Sequence, residues 1–326
     1  MNKHIKISII VPIYNVEQYL AKCLYTLTNQ TLQSIEIILV NDCSTDSSEI
    51  IIKQFLKNDS RIIYIKNQIN KNVGYSRNVA IKKAEGEYIM FVDSDDYIEL
   101  NAAETLYNKA KSLELDILEF DYYKGKEGGF KTQKHQLFEK PLSGADYFEK
   151  IPFTNSVIWN KLWRTAFIKE NQLFFTDGYY EDVLFISKSM FYVNKIFRID
   201  FVFYYYNIRN ESIMTSKTSS MHIKSLIVLV NNLAKMYVQT IGKPGNNQRL
   251  KILAYSLSGV ARAINNFDVK TEEDLFLLKK IINILKNMHK RYKVKILFCS
   301  KLGLIQRILL YLSPNLTDKV LSIINK

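Results

Sequence analysis

The chemistry in this chain starts with its carboxylates. In FVDSDD (residues 91–96), Asp93, Ser94, Asp95 and Asp96 follow an apolar run. Alternate residues leaving a strand project to the same side, so Asp93 and Asp95 can reach one ligand together while Asp96 points elsewhere or turns the chain. Clustered carboxylates repel one another and need a counter-charge or donors. A divalent cation with a nucleotide supplies both, and hard oxygen ligands suit Mg²⁺ or Mn²⁺. Helix capping or a turn is the alternative for such a cluster, and its place at a strand end favours the ligand reading.

Other residues extend that chemistry. Asp42, in VNDCSTD, is either an Asx-turn residue or an acceptor for the N–H of a pyrimidine ring, and Tyr14 either stacks on that ring or packs in the core. Arg77, in GYSRN, follows a glycine at a helix start, where a guanidinium can grip a phosphate; a surface ion pair is the alternative. Glu181 and Asp182 precede VLFISKSMF as acids of a helix first turn, where a carboxylate stays exposed enough to take a proton. Trp159 and the pair Tyr179–Tyr180 offer aromatic surface for a sugar or for the core.

Several other chemistries are excluded. The chain has no GxGxxG after its first apolar run and no GxxxxGK[ST], GxSxG or HExxH, and its four His do not cluster. Three Cys without CxxC spacing give neither a disulfide framework nor a four-Cys zinc site, and they fit a reducing compartment.

These groups need a frame to hold them. Residues 5–13, 35–41, 61–66 and 87–93 are continuous apolar runs, as expected of strands buried on both faces. Between the first two, Val16, Leu20, Cys23, Leu24 and Leu27 recur at helical spacing, with Asn15 and Gln18 as a capping box; Asp46 and Glu49 repeat that signature. A third helix is expected over residues 75–84. This alternation predicts a parallel sheet built by right-handed crossovers, with ligands at the carboxyl ends of its strands. Further on, a helix is expected at 102–113, strands at 116–123 and 196–206, a polar loop at 125–140, and helices from about 218 with a turn at 242–247.

The 326 residues carry a net charge of +13, with balances of −1, +6 and +8 over residues 1–99, 100–269 and 270–326. Lys286, Lys290, Arg291, Lys293 and Lys295 alternate with apolar runs, which reads either as a basic amphipathic helix on an anionic membrane surface or as a solvated helix face. No nucleic-acid motif accompanies the charge, so nucleic acid is not expected as a partner. The amino terminus reads as a buried strand and not as a signal peptide, and the longest apolar runs are interrupted by polar residues.

Taken together, SIIVPIYNVEQYL, EIILVNDCSTDSS, NVGYSRNVAI and GEYIMFVDSDDYIE resemble, in order and spacing, the inverting glycosyltransferases of family 2. WNKLWR and YYEDVLF agree, and the resemblance covers residues 5–215. It implies an α/β GT-A fold, a Rossmann-like mixed sheet with flanking helices, over residues 1–215. A helical, basic amphipathic region would follow over 216–326. It also implies a UDP-sugar donor, Mn²⁺ or Mg²⁺, a β-glycoside product, and a lipid-linked, lipooligosaccharide or capsule glycan as acceptor. The protein would be cytoplasmic and peripheral on the inner face of a bacterial plasma membrane. IMFVDSDDYIELNA and EDVLF are similar to lipooligosaccharide β-1,3-galactosyltransferases in particular.

Carried over by position, Pro12, Tyr14, Asn15 and Glu17 frame the uridine, Asp42 meets the uracil and Arg77 lies near the pyrophosphate or base. Asp93 contacts ribose or sugar, with Ser94, Trp159 and Glu181 counted among the substrate contacts. Asp95 binds the metal and Asp182 is the general base. Arg209 and Ser212 close over the diphosphate; the family commonly shows Arg where this chain has Asn207. Two other readings are weighed against this one. A catalytically silent assembly subunit is opposed by the intact Asp93, Asp95 and Asp182, and a nucleotidyltransferase by the lack of a Gly-rich basic first loop.

Overall fold

A computed structural model describes residues 4–126, 128–133, 137–151, 157–208, 220–239, 241, 249–250, 252–253, 256–257, 260 and 271–292. Its described residues form two compact units: Met1–Tyr147 with Ser156–Asp177 and Glu181–Met214, and Phe148–Asn155 with Gly178–Tyr180 and Thr215–Lys326.

The first unit opens as strand–helix alternation: β1 (Ile7–Ile13), α1 (Glu17–Thr28), β2 (Ile35–Asn41), α2 (Ser48–Leu56), β3 (Ile62–Lys66), α3 (Asn72–Lys83) and β4 (Tyr88–Phe91). The chain continues with β5 (Tyr97–Ile98), α4 (Ala102–Ser112), β6 (Ile117–Gly125), β7 (Lys131–Gln133), α5 (Gly144–Lys150, assigned to the first unit as far as Tyr147), β8 (Lys161–Arg164), α6 (Thr165–Glu170), α7 (Glu181–Met190) and β9 (Ile196–Asn207). The strands form one sheet in the order β3-β2-β1-β4-β8-β6-β9-β5, with β7 paired to β6. β1 to β4 are parallel, while β8 runs antiparallel to both β4 and β6. The sheet is therefore mixed, as expected.

Every residue of β1 and β2 is buried, because helices cover both faces of these strands and leave no side for polar alternation. Leu20, Leu24 and Leu27 of α1 are fully buried, and each contributes about 1.5–3 kcal/mol by leaving water. Parallel pairing brings the ends of β1, β2 and β4 to one edge. Tyr14, Asp42 and Asp93 leave the sheet there.

Neither expected capping box forms. Val16 and Ser47 occupy the caps of α1 and α2 without side-chain cap bonds. Asn15 and Asp46, with Glu17, bond across the two loops, and Asp46 Oδ1 also accepts the Ser48 N–H locally at 3.0 Å. Asn15 Oδ1 accepts the Thr45 N–H at 2.8 Å, Glu17 Oε2 accepts the Ser47 N–H at 2.7 Å, and Asp46 Oδ2 accepts the Glu17 N–H at 2.9 Å. Helix α3 also starts earlier than expected, so Gly74 lies in its first turn. A Cβ there would stand 3.0 Å from the Thr176 carbonyl oxygen and 3.2 Å from Phe175 Cβ. The missing side chain lets that segment approach. Asn78 completes the contact by exchanging two hydrogen bonds with the Phe175 backbone, at 2.9 and 2.8 Å.

In the second unit, α8 (Ser220–Val238) and α9 (Glu272–Tyr292) pack on each other, and Leu226, Val230, Leu233, Leu278, Ile281 and Leu285 are buried. Among the described residues, no helix is long and apolar enough to cross a membrane. Arg209, Ser212, Lys293, Lys295 and the turn at 242–247 lie outside the described residues, as do the side chains of Lys286, Lys290 and Arg291.

Candidate functional site

The acidic loop after β4 carries the alternation that its sequence suggests. Asp93 and Asp95 are part-exposed, whereas Ser94 and Asp96 are 5% and 1% exposed. Asp96 turns inward. Its carboxylate accepts the Tyr204 hydroxyl at 2.7 Å and the Asn207 N–H at 2.8 Å. Burial, then the charges of Asp95 and Asp93, push its pKa well above the usual carboxylate range.

Asp42 is almost fully buried at the end of β2 and does not form an Asx-turn. Asn67 Nδ2 donates to its Oδ1 at 2.7 Å, and the Lys71 N–H donates to both oxygens at 3.0 and 3.1 Å. Asn67 also donates to Ser76 Oγ at 3.1 Å. Neighbouring Asn41 makes the local turn instead, accepting the Ser44 N–H. Tyr14 is 47% exposed and Asn15 adopts a positive φ of 49° beside it, while Pro12 is buried in β1 opposite Val40. This edge thus carries an exposed ring at the end of β1 and a fixed carboxylate at the end of β2.

Arg77 is 5% exposed and lies between two acids, with Nη2 2.8 Å from Asp93 Oδ1 and Nη1 3.0 Å from Glu181 Oε1. Its Nε has no partner among the described residues. Burial disfavours the cation, but Asp93 and Glu181 outweigh it and leave the guanidinium more basic than usual. An arginine that reads as a phosphate or surface residue is thus a buried clamp on two carboxylates.

Helix α7 brings Asp182 to this edge. Phe185, one turn on, stacks on Phe175 at 4.2 Å and meets Phe91 edge-on at 6.2 Å, which fixes the helix against β4 and the 175–176 segment. Asp182 Oδ1 accepts the Val183 N–H at 2.7 Å. Burial and the charge of Glu181 push its pKa up to about 7, against the pull of Arg77. Such a group changes protonation at neutral pH, as a general base requires. Trp159, 5% exposed, stacks on Tyr204 at 4.4 Å and Tyr206 at 5.4 Å and so packs within an aromatic cluster. Tyr179, in the second unit, stacks on His222 at 3.8 Å.

Among the described residues, no three His, Cys, Asp or Glu converge on one point as a complete metal cage. Asp93 and Asp95, part-exposed hard oxygen donors, still fit Mg²⁺ or Mn²⁺, which bind through one or two carboxylates and fill the remaining positions with water and phosphate oxygens.

Sequence reasoning set Asp96 apart from Asp93 and Asp95 but missed Asn67, Ser76 and Tyr204, the partner of Asp96. Asn67 carried the one available signal, a polar residue directly after β3 at the same sheet edge.

A family profile described as "Glycosyl transferase family 2" matches residues 8–178. Glycosyltransferase GlyA of Streptococcus pneumoniae is 31% identical over 328 residues, which is 93% of this chain and 45% of that protein. Putative glycosyltransferase EpsH of Bacillus subtilis is 32% identical over 236 residues, 70% of this chain and 68% of the relative. Poly(ribitol-phosphate) beta-N-acetylglucosaminyltransferase TarS of Staphylococcus aureus is 32% identical over 212 residues, 63% of this chain and 36% of TarS. The crystal structure of TarS 1-349 in complex with UDP-GlcNAc superposes with a TM-score of 0.76 at 25% identity, over 97% of this chain and 90% of that one. The chain thus spans less than half the length of GlyA and about a third of full-length TarS.

Proposed function

The chain belongs to glycosyl transferase family 2 and has its GT-A fold, and from that premise we propose that it moves a sugar from a UDP-sugar to a glycan hydroxyl with inversion. The observation that carries this is the pairing of Arg77 with both Asp93 and Glu181, which brings the donor-side acids and the Asp182 helix to one sheet edge.

In this reading, Tyr14 stacks on the uracil and Asp42, fixed by Asn67 and the Lys71 N–H, accepts the ring N–H. Pro12, Asn15 and Glu17 shape the β1 loop around the uridine. Asp93 faces the ribose. Asp95 holds Mn²⁺ or Mg²⁺, which when bound supplies a Lewis acid for charge on the departing diphosphate. The family resemblance assigns Arg209 and Ser212, outside the described residues, to contacts with that diphosphate. The acceptor O–H gives its proton to Asp182 while its oxygen forms a bond to the anomeric carbon, and the bond from that carbon to the diphosphate breaks on the opposite face. UDP leaves, and an α-linked donor yields a β-glycoside.

The donor sugar is a hexose or N-acetylhexosamine. Blocks 89–102 and 181–185 favour galactose, and the UDP-GlcNAc complex of TarS supports an N-acetylhexosamine. The acceptor is a cell-surface glycan, lipid-linked at the cytoplasmic membrane face, where the basic carboxyl-terminal residues meet anionic lipid. The test is UDP release from a panel of UDP-sugars with Mn²⁺ and then with EDTA. Metal-dependent turnover of one donor is expected; failure of UDP to bind would bring forward a silent assembly subunit.

A further inference from the structure

We propose that the Tyr204 hydroxyl, together with the buried carboxylate of Asp96, is a positioning device that sets Asp93 toward the donor ribose and Asp95 toward the diphosphate-bound cation. The inference rests on the reading of Asp95 as the metal ligand and goes beyond it by assigning two residues that touch neither substrate nor metal.

The loop from Asp93 to Asp96 has little backbone support of its own, chiefly the Asp96 N–H to the Asp93 carbonyl at 3.0 Å. Three carboxylates in four residues repel one another, which favours a splayed loop. The Tyr204 oxygen opposes this by joining entry to exit: it accepts the Asp93 N–H at 3.0 Å and donates to Asp96 Oδ2 at 2.7 Å. A phenol has one proton to give, so the two bonds run in opposite senses and fix the hydroxyl. The second Asp96 oxygen accepts the Asn207 N–H, tying the loop to the end of β9.

Tyr204 is itself held on three sides. Its residue pairs with Ile98 of β5 and Tyr122 of β6, and its ring stacks on Trp159. An anchor fixed by two strands and a ring stack transmits their positions to the loop, and Asp95 stands between its two tethers. Removing the hydroxyl would leave the ring and both strands in place while taking away one of the loop's tethers.

The experiment is titration of Mn²⁺ into the protein–UDP complex, followed by the free-Mn²⁺ paramagnetic signal, for the wild type, Tyr204→Phe and Asp96→Asn. Thermal melting of each protein runs alongside. Outer partners of metal ligands typically change affinity by about 10- to 100-fold, and a weakening of that order is expected in both variants, with a smaller loss of metal-free UDP affinity through Asp93. If Tyr204→Phe does not fold, Asp96→Asn, which keeps its shape and one acceptor oxygen, carries the test. Wild-type Mn²⁺ affinity in a folded variant, with a metal-dependent wild type, would overturn this inference alone. A wild type that turns over donor in EDTA would overturn the metal reading and this inference with it.

Discussion

Arg77 and Glu181 stand 104 residues apart in the chain and meet at 3.0 Å through Nη1 and Oε1. The other arm of the same guanidinium holds Asp93 at 2.8 Å. One side chain of α3 therefore spaces the acidic loop after β4 from the helix that carries Asp182. Removing one partner of a buried ion pair leaves the others uncompensated and costs about 3–5 kcal/mol. Arg77→Met is expected to lose stability of that order in urea unfolding. Arg77→Lys keeps the charge but cannot reach both acids as a fork, so it should retain part of the stability and lose activity.

Asp182→Asn should lower kcat by about 100-fold or more, the range for a positioned base, while UDP affinity measured by calorimetry stays at the wild-type value. Normal turnover by this variant would remove Asp182 from the mechanism.

The pKa of Asp182, pushed up to about 7 by burial and Glu181, gives two pH dependences. A base must be ionised, so kcat/KM should rise as pH passes through about 7. For stability the sign is opposite. Between the ordinary 3.8 and about 7 the native state holds a proton that the unfolded chain has lost, so stability falls as pH rises across that window. Urea titrations at pH 5 and pH 8 should show this fall in the wild type and a smaller one in Asp182→Asn.

Asp42 spends both oxygens on Asn67 and the Lys71 N–H. Asn67→Ala would loosen that carboxylate by one hydrogen bond, about 1 kcal/mol, and UDP affinity should drop severalfold by calorimetry. An unchanged affinity would mean that Asp42 does not meet the base.

Replacing Lys286, Lys290, Arg291, Lys293 and Lys295 together with Gln should abolish salt-sensitive co-sedimentation with anionic liposomes, since each basic residue near such a surface contributes about 1 kcal/mol. Equal sedimentation of variant and wild type would remove the membrane reading.

The strands β1 to β4 were legible because burial on both faces writes an unbroken apolar run, and the alternation of Asp93 and Asp95 against Ser94 and Asp96 was legible because a chain leaving a strand keeps its period of two. The capping boxes were not. Asn15 with Gln18 and Asp46 with Glu49 have the right types and spacing for local boxes, but parallel pairing sets the β1 and β2 loops side by side and offers Asn15 and Asp46 donors 30 and 29 residues away. Local spacing does not reveal such a competitor.

The sequence by itself determined the sheet, the edge at which its carboxylates emerge and the family to which the chain belongs, since each is written in short-range pattern and ordered blocks. Only the tertiary structure decided what each charge does. Arg77 clamps two acids instead of standing open, Asp96 turns inward to Tyr204, and Asp182 is pushed toward neutrality. Those outcomes depend on burial and on partners up to 111 residues away, and a charge takes its energy from the groups and dielectric around it, which the linear order of residues does not specify.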